Sequence, residues 1–138
     1  MNFYFINNQI FSVMSEYTLN DITTEDDVRT MVDTFYDKVN KDELLSPVFN
    51  DFAAVDWSRH LPVMYAFWNS LILGIPGYRG APFPKHIELP ISREHFERWL
   101  HLFRENIDEH FAGANADLAK LRAENIAQVF QYKMGLIR

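Results

Sequence analysis

The sequence predicts an all-α protein. Apolar residues recur at three- and four-residue intervals in four separate stretches, and strand-like alternation of useful length is missing. Between the second and third stretches, three glycines and four prolines crowd into residues 74–91, a segment neither helix nor strand can easily claim. At 138 residues one core is expected, burying roughly two-thirds of the surface of the unfolded chain.

The first helix is announced by Thr23 and Thr24, each followed three residues on by an acid, Asp26 or Asp27, in capping-box spacing. Val28, Met31, Val32, Phe35, Tyr36 and Val39 then trace one face to about Asn40, and Pro47 interrupts any simple continuation toward Phe49 and Phe52. Asp56 is placed to cap a second helix whose inward face reads His60, Met64, Phe67, Trp68 and Leu71. Pro62 falls in its first turn or two, where a missing N–H matters least. Ser92 opens a third helix with Phe96, Trp99, Leu100, Phe103 and Ile107 on one side, stopping near Gly113. The fourth is expected from about Asn115 to Lys133, carrying Leu118, Leu121, Ile126, Val129 and Phe130. The connection of about 17 residues between helices two and three is of a length more often functional than idle. There is no internal repeat and no low-complexity run.

Composition narrows the function. Net charge is −6, so no overall field draws the chain to nucleic acid or to anionic lipid. The absence of cysteine removes disulfides, thiolate zinc sites, iron–sulfur clusters and cysteine nucleophiles; a cytoplasmic location is compatible with this and is the expected one. No window holds the roughly 18 uninterrupted apolar residues of a membrane span. The first twenty residues, apolar in patches but without a basic n-region or cleavage site, read as an N-terminal extension, unstructured or a short helix, ahead of a domain over 21–138. Aromatic residues reach 15%, with twelve Phe, an excess that suits a core closing around something large and flat.

The five histidines show neither the Glu-x-x-His spacing of di-metal bundles nor a zinc helix, so a protein-only metal cluster is not indicated. Gly74, Gly77 and Gly80 lack the Lys-Ser/Thr of a phosphate loop, and Ser58 and Ser70 lack a nucleophile elbow. What remains is a set of polar-tipped residues in apolar surroundings: Tyr36, His60 and Trp99 on helix faces and His86 in the Gly/Pro segment. Singly, each is most simply a ring that buries itself and finds a nearby partner. Together, with two histidines on opposite flanks of an aromatic core, they are accounted for by a haem, whose iron takes an axial imidazole and whose other face needs room and hydrogen-bond donors. The alternative is a haem-free helical module whose aromatic face receives a partner helix.

Four stretches then resemble a known family, the truncated haemoglobins, and specifically their third group. They are Phe35-Tyr36-x-x-Val39 with Pro47-Val48-Phe49; His60-Leu61-Pro62-x-Met64-x-x-Phe67-Trp68; Tyr78-x-Gly80-x-Pro82-Phe83-x-x-His86-x-x-Leu89-Pro90; and His95-Phe96-x-x-Trp99-Leu100-x-Leu102-Phe103. The resemblance covers about residues 25 to 132, in the correct order, and the paired-glycine motifs of the other groups are absent, as in the third. It implies a two-over-two helical globin that binds haem b. By that resemblance His86 is the proximal ligand, Tyr36 and Trp99 are distal hydrogen-bond donors, and His60 occupies the distal gate. Phe35, Phe49, Met64, Phe67 and Trp68, with Tyr78, complete the haem pocket. O2, NO or CO is the implied ligand, and NO dioxygenase-like or peroxidase-like turnover would call for an external reductase. The extension before residue 20 departs from the compact family pattern.

Overall fold

Thr24 starts the first helix as its spacing predicts. Its hydroxyl accepts from the Asp27 N–H at 3.1 Å, and the Asp27 carboxylate accepts from the Thr24 N–H at 3.1 Å, a reciprocal pair that satisfies two donors a helix start leaves orphaned. Helix α1 runs Glu25–Lys41 and buries all six residues of the predicted face. The computed structural model describes residues 19–80 and 89–138; the first eighteen residues of the expected extension and His86 lie outside the described residues.

After α1 the chain turns on the Asp42 carboxylate, which accepts from the Leu44 and Leu45 N–H groups, and winds into a wide π-helical turn at Val48–Phe52. Asp56 then caps α2 (Trp57–Leu73), accepting from the Ser58 N–H at 3.1 Å. Pro62 sits inside α2, early enough that the bond it forgoes belongs to the second turn. Gly74 ends α2 in the left-handed conformation (φ 68°), with the Ile75 N–H donating back to the Asn69 carbonyl at 3.2 Å. Helix α3 runs Arg93–His110 and α4 Ala114–Lys133. No strand occurs, and no helix is long and apolar enough to cross a membrane, among the described residues.

Helix α1 packs on α2 and α3, and α4 packs on α3 and α2, which makes two layers of two helices. Rings link three of the four helices. Trp68 of α2 stacks on Phe103 of α3 (centroids 4.9 Å apart), Phe103 meets Phe35 of α1 edge-on at 5.2 Å, and Trp99 stacks on Phe103 at 5.6 Å. Where α1 and α3 cross, the fully buried Asn106 donates to the Met31 carbonyl at 3.0 Å. A polar tie in that position sets register as well as attraction.

Helix α4 does not bury all of the large apolar residues it carries. Leu121 and Val129 are 54% and 47% exposed, whereas Ala116, Ala119, Ala123 and Ala127 are buried. The larger residues do not keep a helical period, since Leu121 and Ile126 are five apart, while the alanines recur at three and four. Methyl groups let α4 approach α3 closely, so the inward stripe is small rather than bulky.

The start of α4 depends on a residue far off in sequence. Gly113 has no side chain with which to cap it, and the Asp21 carboxylate takes that place, accepting from the Asn115 and Ala116 N–H groups at 2.9 and 2.8 Å. A Cβ on Gly113 would lie 2.5 Å from Asp21 Cγ, and its φ of 141° disfavours any side chain. Burial alone would raise the Asp21 pKa, but the N–H donors of Asn115, Ala116 and Ile22 outweigh it and hold the carboxyl below its ordinary value. Such a group stabilises the fold above its unfolded pKa, and that contribution is lost as pH falls through the lower folded value. Asp21→Ala is therefore expected to cost about 1–2 kcal/mol in urea denaturation at neutral pH. Asp21→Asn should lose less stability than the wild type on going from about pH 5 to pH 3. Gly113→Ala should be destabilising by a similar or larger amount, on the order of 1–3 kcal/mol.

Candidate functional site

The two helical layers enclose a cleft whose walls follow from the faces just described. Helix α2 presents His60, Met64, Phe67 and Trp68; α3 and the approach to it present Leu89, Ile91, His95, Phe96 and Trp99; α4 contributes Ile126, Ala127 and Phe130; and Tyr36, Leu45, Val48 and Phe49 close the end. Among the described residues, no Asp, Glu, Lys or Arg borders it. Four polar-tipped side chains do, Tyr36, His60, His95 and Trp99, in walls that are otherwise hydrocarbon and aromatic ring. At Ala127 the wall is a single methyl, which preserves open width. An uncharged slot of this kind suits a broad, flat, apolar group offering one polar reactive centre.

Tyr36, Phe49, His60, Met64, Phe67, Trp68 and Trp99 thus stand together. Phe35 stands one layer behind: it is 2% exposed, and its ring meets Trp99 edge-on at 5.6 Å and Tyr36 at 5.0 Å, so it backs the donors without bordering the cleft. Tyr78 also lies off the cleft wall, with its ring 5.0 Å from Phe67. His86 falls outside the described residues, but the chain on its far side re-enters at Leu89, on the cleft.

The two donors at the closed end are set differently. Burial pushes the Tyr36 phenol well above its ordinary pKa, and its hydroxyl makes no hydrogen bond to a described residue. It is therefore a neutral O–H facing the cleft. The Trp99 ring is clamped between Phe35 edge-on and Phe103 stacked, which fixes the plane in which its N–H points. His60 meets Tyr36 at 5.6 Å, ring to ring.

Trp57 escaped the sequence reading. It heads α2 and packs on both Tyr36 (5.1 Å) and His60 (5.5 Å); the signal was its i, i+3 spacing from His60 directly after the Asp56 cap. His95 also escaped. Its Nδ1 lies 3.0 Å from the Ser92 N–H, which donates to it, so the remaining ring nitrogen carries the proton of the neutral form.

A two-over-two helical sandwich around an uncharged aromatic slot defines a truncated globin. Residues 18–132 match the family model of bacterial-like globins. The chain belongs to that family, in its truncated haemoglobin branch of the third group. The group 3 truncated hemoglobin of Campylobacter jejuni subsp. jejuni serotype O:2 is 34% identical to it, over 80% of this chain and 93% of that one. The crystal structure of group III truncated hemoglobin from Campylobacter jejuni superposes with a TM-score of 0.73 at 33% identity, over 80% of this chain and 91% of the other. Membership carries a haem cofactor and the binding of a small ligand through it.

The burial of Tyr36 has a consequence at high pH. An ionisable group whose folded pKa is raised contributes stability below its unfolded value, near pH 10 for Tyr, and withdraws it as pH rises. Tyr36→Phe should leave the ultraviolet phenolate titration of the folded protein unchanged, and should flatten the loss of urea stability that the wild type shows above about pH 10.

Proposed function

We propose that this chain holds haem b through His86 and binds O2, or NO or CO, at the closed end of the cleft beneath Tyr36, Trp99 and His60. The observation that carries the reading is a slot walled, among the described residues, by aromatic and aliphatic side chains without a charged one, with a phenolic O–H at one end that has no partner among them. The slot's chemistry fits the group: rings and aliphatic side chains for a porphyrin's faces, with no charged side chain among the described residues that border it. When bound, haem supplies an iron centre at which a diatomic molecule can coordinate.

The chain's own residues supply the rest. Phe49, Met64, Phe67 and Trp68 offer the porphyrin apolar contact, with Phe35 backing the distal donors and Tyr78 bracing Phe67. His86 stands three residues before Leu89, so a chain of at most about 10–11 Å separates it from the cleft wall. Its second ring nitrogen would donate to a backbone carbonyl of the Gly/Pro segment, setting tautomer and ring plane. Tyr36 and Trp99 would donate to a small polar ligand in the cleft, and the raised phenol pKa keeps Tyr36 a donor at physiological pH. The globin unit is residues 21–138, working in the cytoplasm.

Two donors to a partly charged ligand slow its release, each hydrogen bond to a charged group contributing about 1.5–3 kcal/mol. Slow release suits reaction of the bound ligand, NO dioxygenation or peroxide chemistry with an external reductase, better than delivery.

Purified protein titrated with haemin should develop a sharp Soret band at one equivalent. His86→Ala should fail to hold stoichiometric haem until imidazole is added. In stopped flow, Tyr36→Phe should release O2 roughly 10- to 100-fold faster, the factor for one charge-assisted hydrogen bond. A protein that stays colourless with haemin overturns the reading in favour of a haem-free helical module.

A further inference from the structure

We infer that Trp57 is a positioning residue for the distal site, a plate that holds His60 against Tyr36 and is itself locked by a relay through Asn50. The inference rests on the ligand-binding reading above. Three rings form a near-equilateral triangle: Tyr36 to Trp57 is 5.1 Å, Trp57 to His60 is 5.5 Å and Tyr36 to His60 is 5.6 Å. Phe49, which meets the Tyr36 ring at 6.0 Å, stacks on Trp57 at 5.9 Å. Trp57, itself off the cleft wall, therefore backs three rings that border the cleft, Tyr36, Phe49 and His60.

What holds this plate is polar and lies outside the cleft. The Trp57 indole N–H donates to Asn50 Oδ1 at 2.9 Å, so this N–H is not offered to a ligand. The Asn50 amide donates in turn to Asn40 Oδ1 at 3.0 Å and to the Ser46 carbonyl at 3.1 Å. With its oxygen facing an N–H and its nitrogen facing two acceptors, the amide has one satisfactory orientation. The relay joins the last turn of α1, the turn after it, the π-helical turn and the first turn of α2.

The backbone between Asn50 and Trp57 supplies the second observation. Ala54 holds a φ of 48°, left-handed for a residue with a Cβ, and the Val55 N–H reaches back to the Phe49 carbonyl at 2.9 Å. Strain of this kind persists only where surrounding bonds over-determine it. The side-chain relay and the backbone bond together fix where α2 begins, and hence where Trp57 and His60 stand. Losing the relay releases the plate; His60 then turns outward and the cleft end opens to small molecules.

The test compares Asn50→Leu and Trp57→Phe, which keep a bulky apolar group but break the relay, with Asn50→Asp, which keeps an acceptor for the indole. In the haem-loaded ferrous protein, laser photolysis of the CO complex should show CO association roughly fivefold faster in Asn50→Leu and Trp57→Phe, the population shift for one neutral hydrogen bond. Asn50→Asp should fall between these and the wild type. The iron–CO stretching band in resonance Raman should move toward the position of an unbonded ligand in the two relay-breaking variants, a signature that general loosening of the fold does not produce. In the haem-free protein, the Trp57 indole proton, assigned by its absence in Trp57→Phe, should exchange with solvent faster in Asn50→Leu than in the wild type. Unchanged or slower CO association with an unmoved band, or an equally protected indole proton, overturns the inference. A wild type that takes up no haem instead counts against the ligand-binding reading, and the indole exchange still decides the relay.

Discussion

Contact between rings sets the planes of the aromatic side chains along one wall of the cleft. Trp68 lies on Phe103, Phe103 on Trp99 and against Phe35, and Phe35 against Tyr36, so a change in the plane of one is felt by the next. Such a ladder joins α1, α2 and α3 without any directional bond, and it is rigid because offset and edge-on aromatic contacts have few equivalent alternatives. The cleft lies beside this ladder, and Tyr36 and Trp99, which border the cleft, are rungs of it. The surface ion pairs that also join helices, Lys38 to Glu109 and Arg104 to Glu124 among them, are partly exposed and add little by comparison.

The donors differ in how their polar ends are spent. Trp57 and Trp99 both border rings that border Tyr36, yet one indole N–H is engaged by Asn50 while the other has no partner among the described residues. An N–H already satisfied outside the cleft makes a wall; an unsatisfied one in an apolar slot is costly to keep unless something arrives to accept it. The same argument applies to the Tyr36 hydroxyl, whose raised pKa reports the same burial. Two donors on the cleft with no partner among the described residues are available to a polar ligand there.

Local chemistry was legible in the sequence, and its limits are instructive. Thr24 with Asp27 and Asp56 with Ser58 cap the helices they were expected to cap, because a capping residue acts within three positions of itself. The inward face of α4 was not identified, because its stripe is alanine, which a search for large apolar residues passes over, although the alanine spacing was there to be found. The Asp21 cap on α4 could not have been found, since its partners lie 94 and 95 residues away and only the fold brings them together. At the site, residues with polar tips on apolar faces were found, and seven of the expected pocket residues border one cleft. Phe35 and Tyr78 were given to the pocket by the family resemblance; packing sets one behind the cleft wall and the other to its side.

Trp57 was passed over for a different physical reason. It heads α2 as the first residue after the cap, where a helix start is ordinarily solvent-facing, so its i, i+3 spacing from His60 was the one signal and a weak one. The π-helical turn does so: its five residues carry Phe49 and Asn50 over the start of α2, one to stack on the indole and the other to accept its N–H. A wider turn than the α-helix is the exception to local rules that sequence periodicity does not register, and it lies at the end of the cleft where the donors gather. The irregular element and the polar relay are thus one device, since the turn supplies the amide and the amide fixes where the next helix begins.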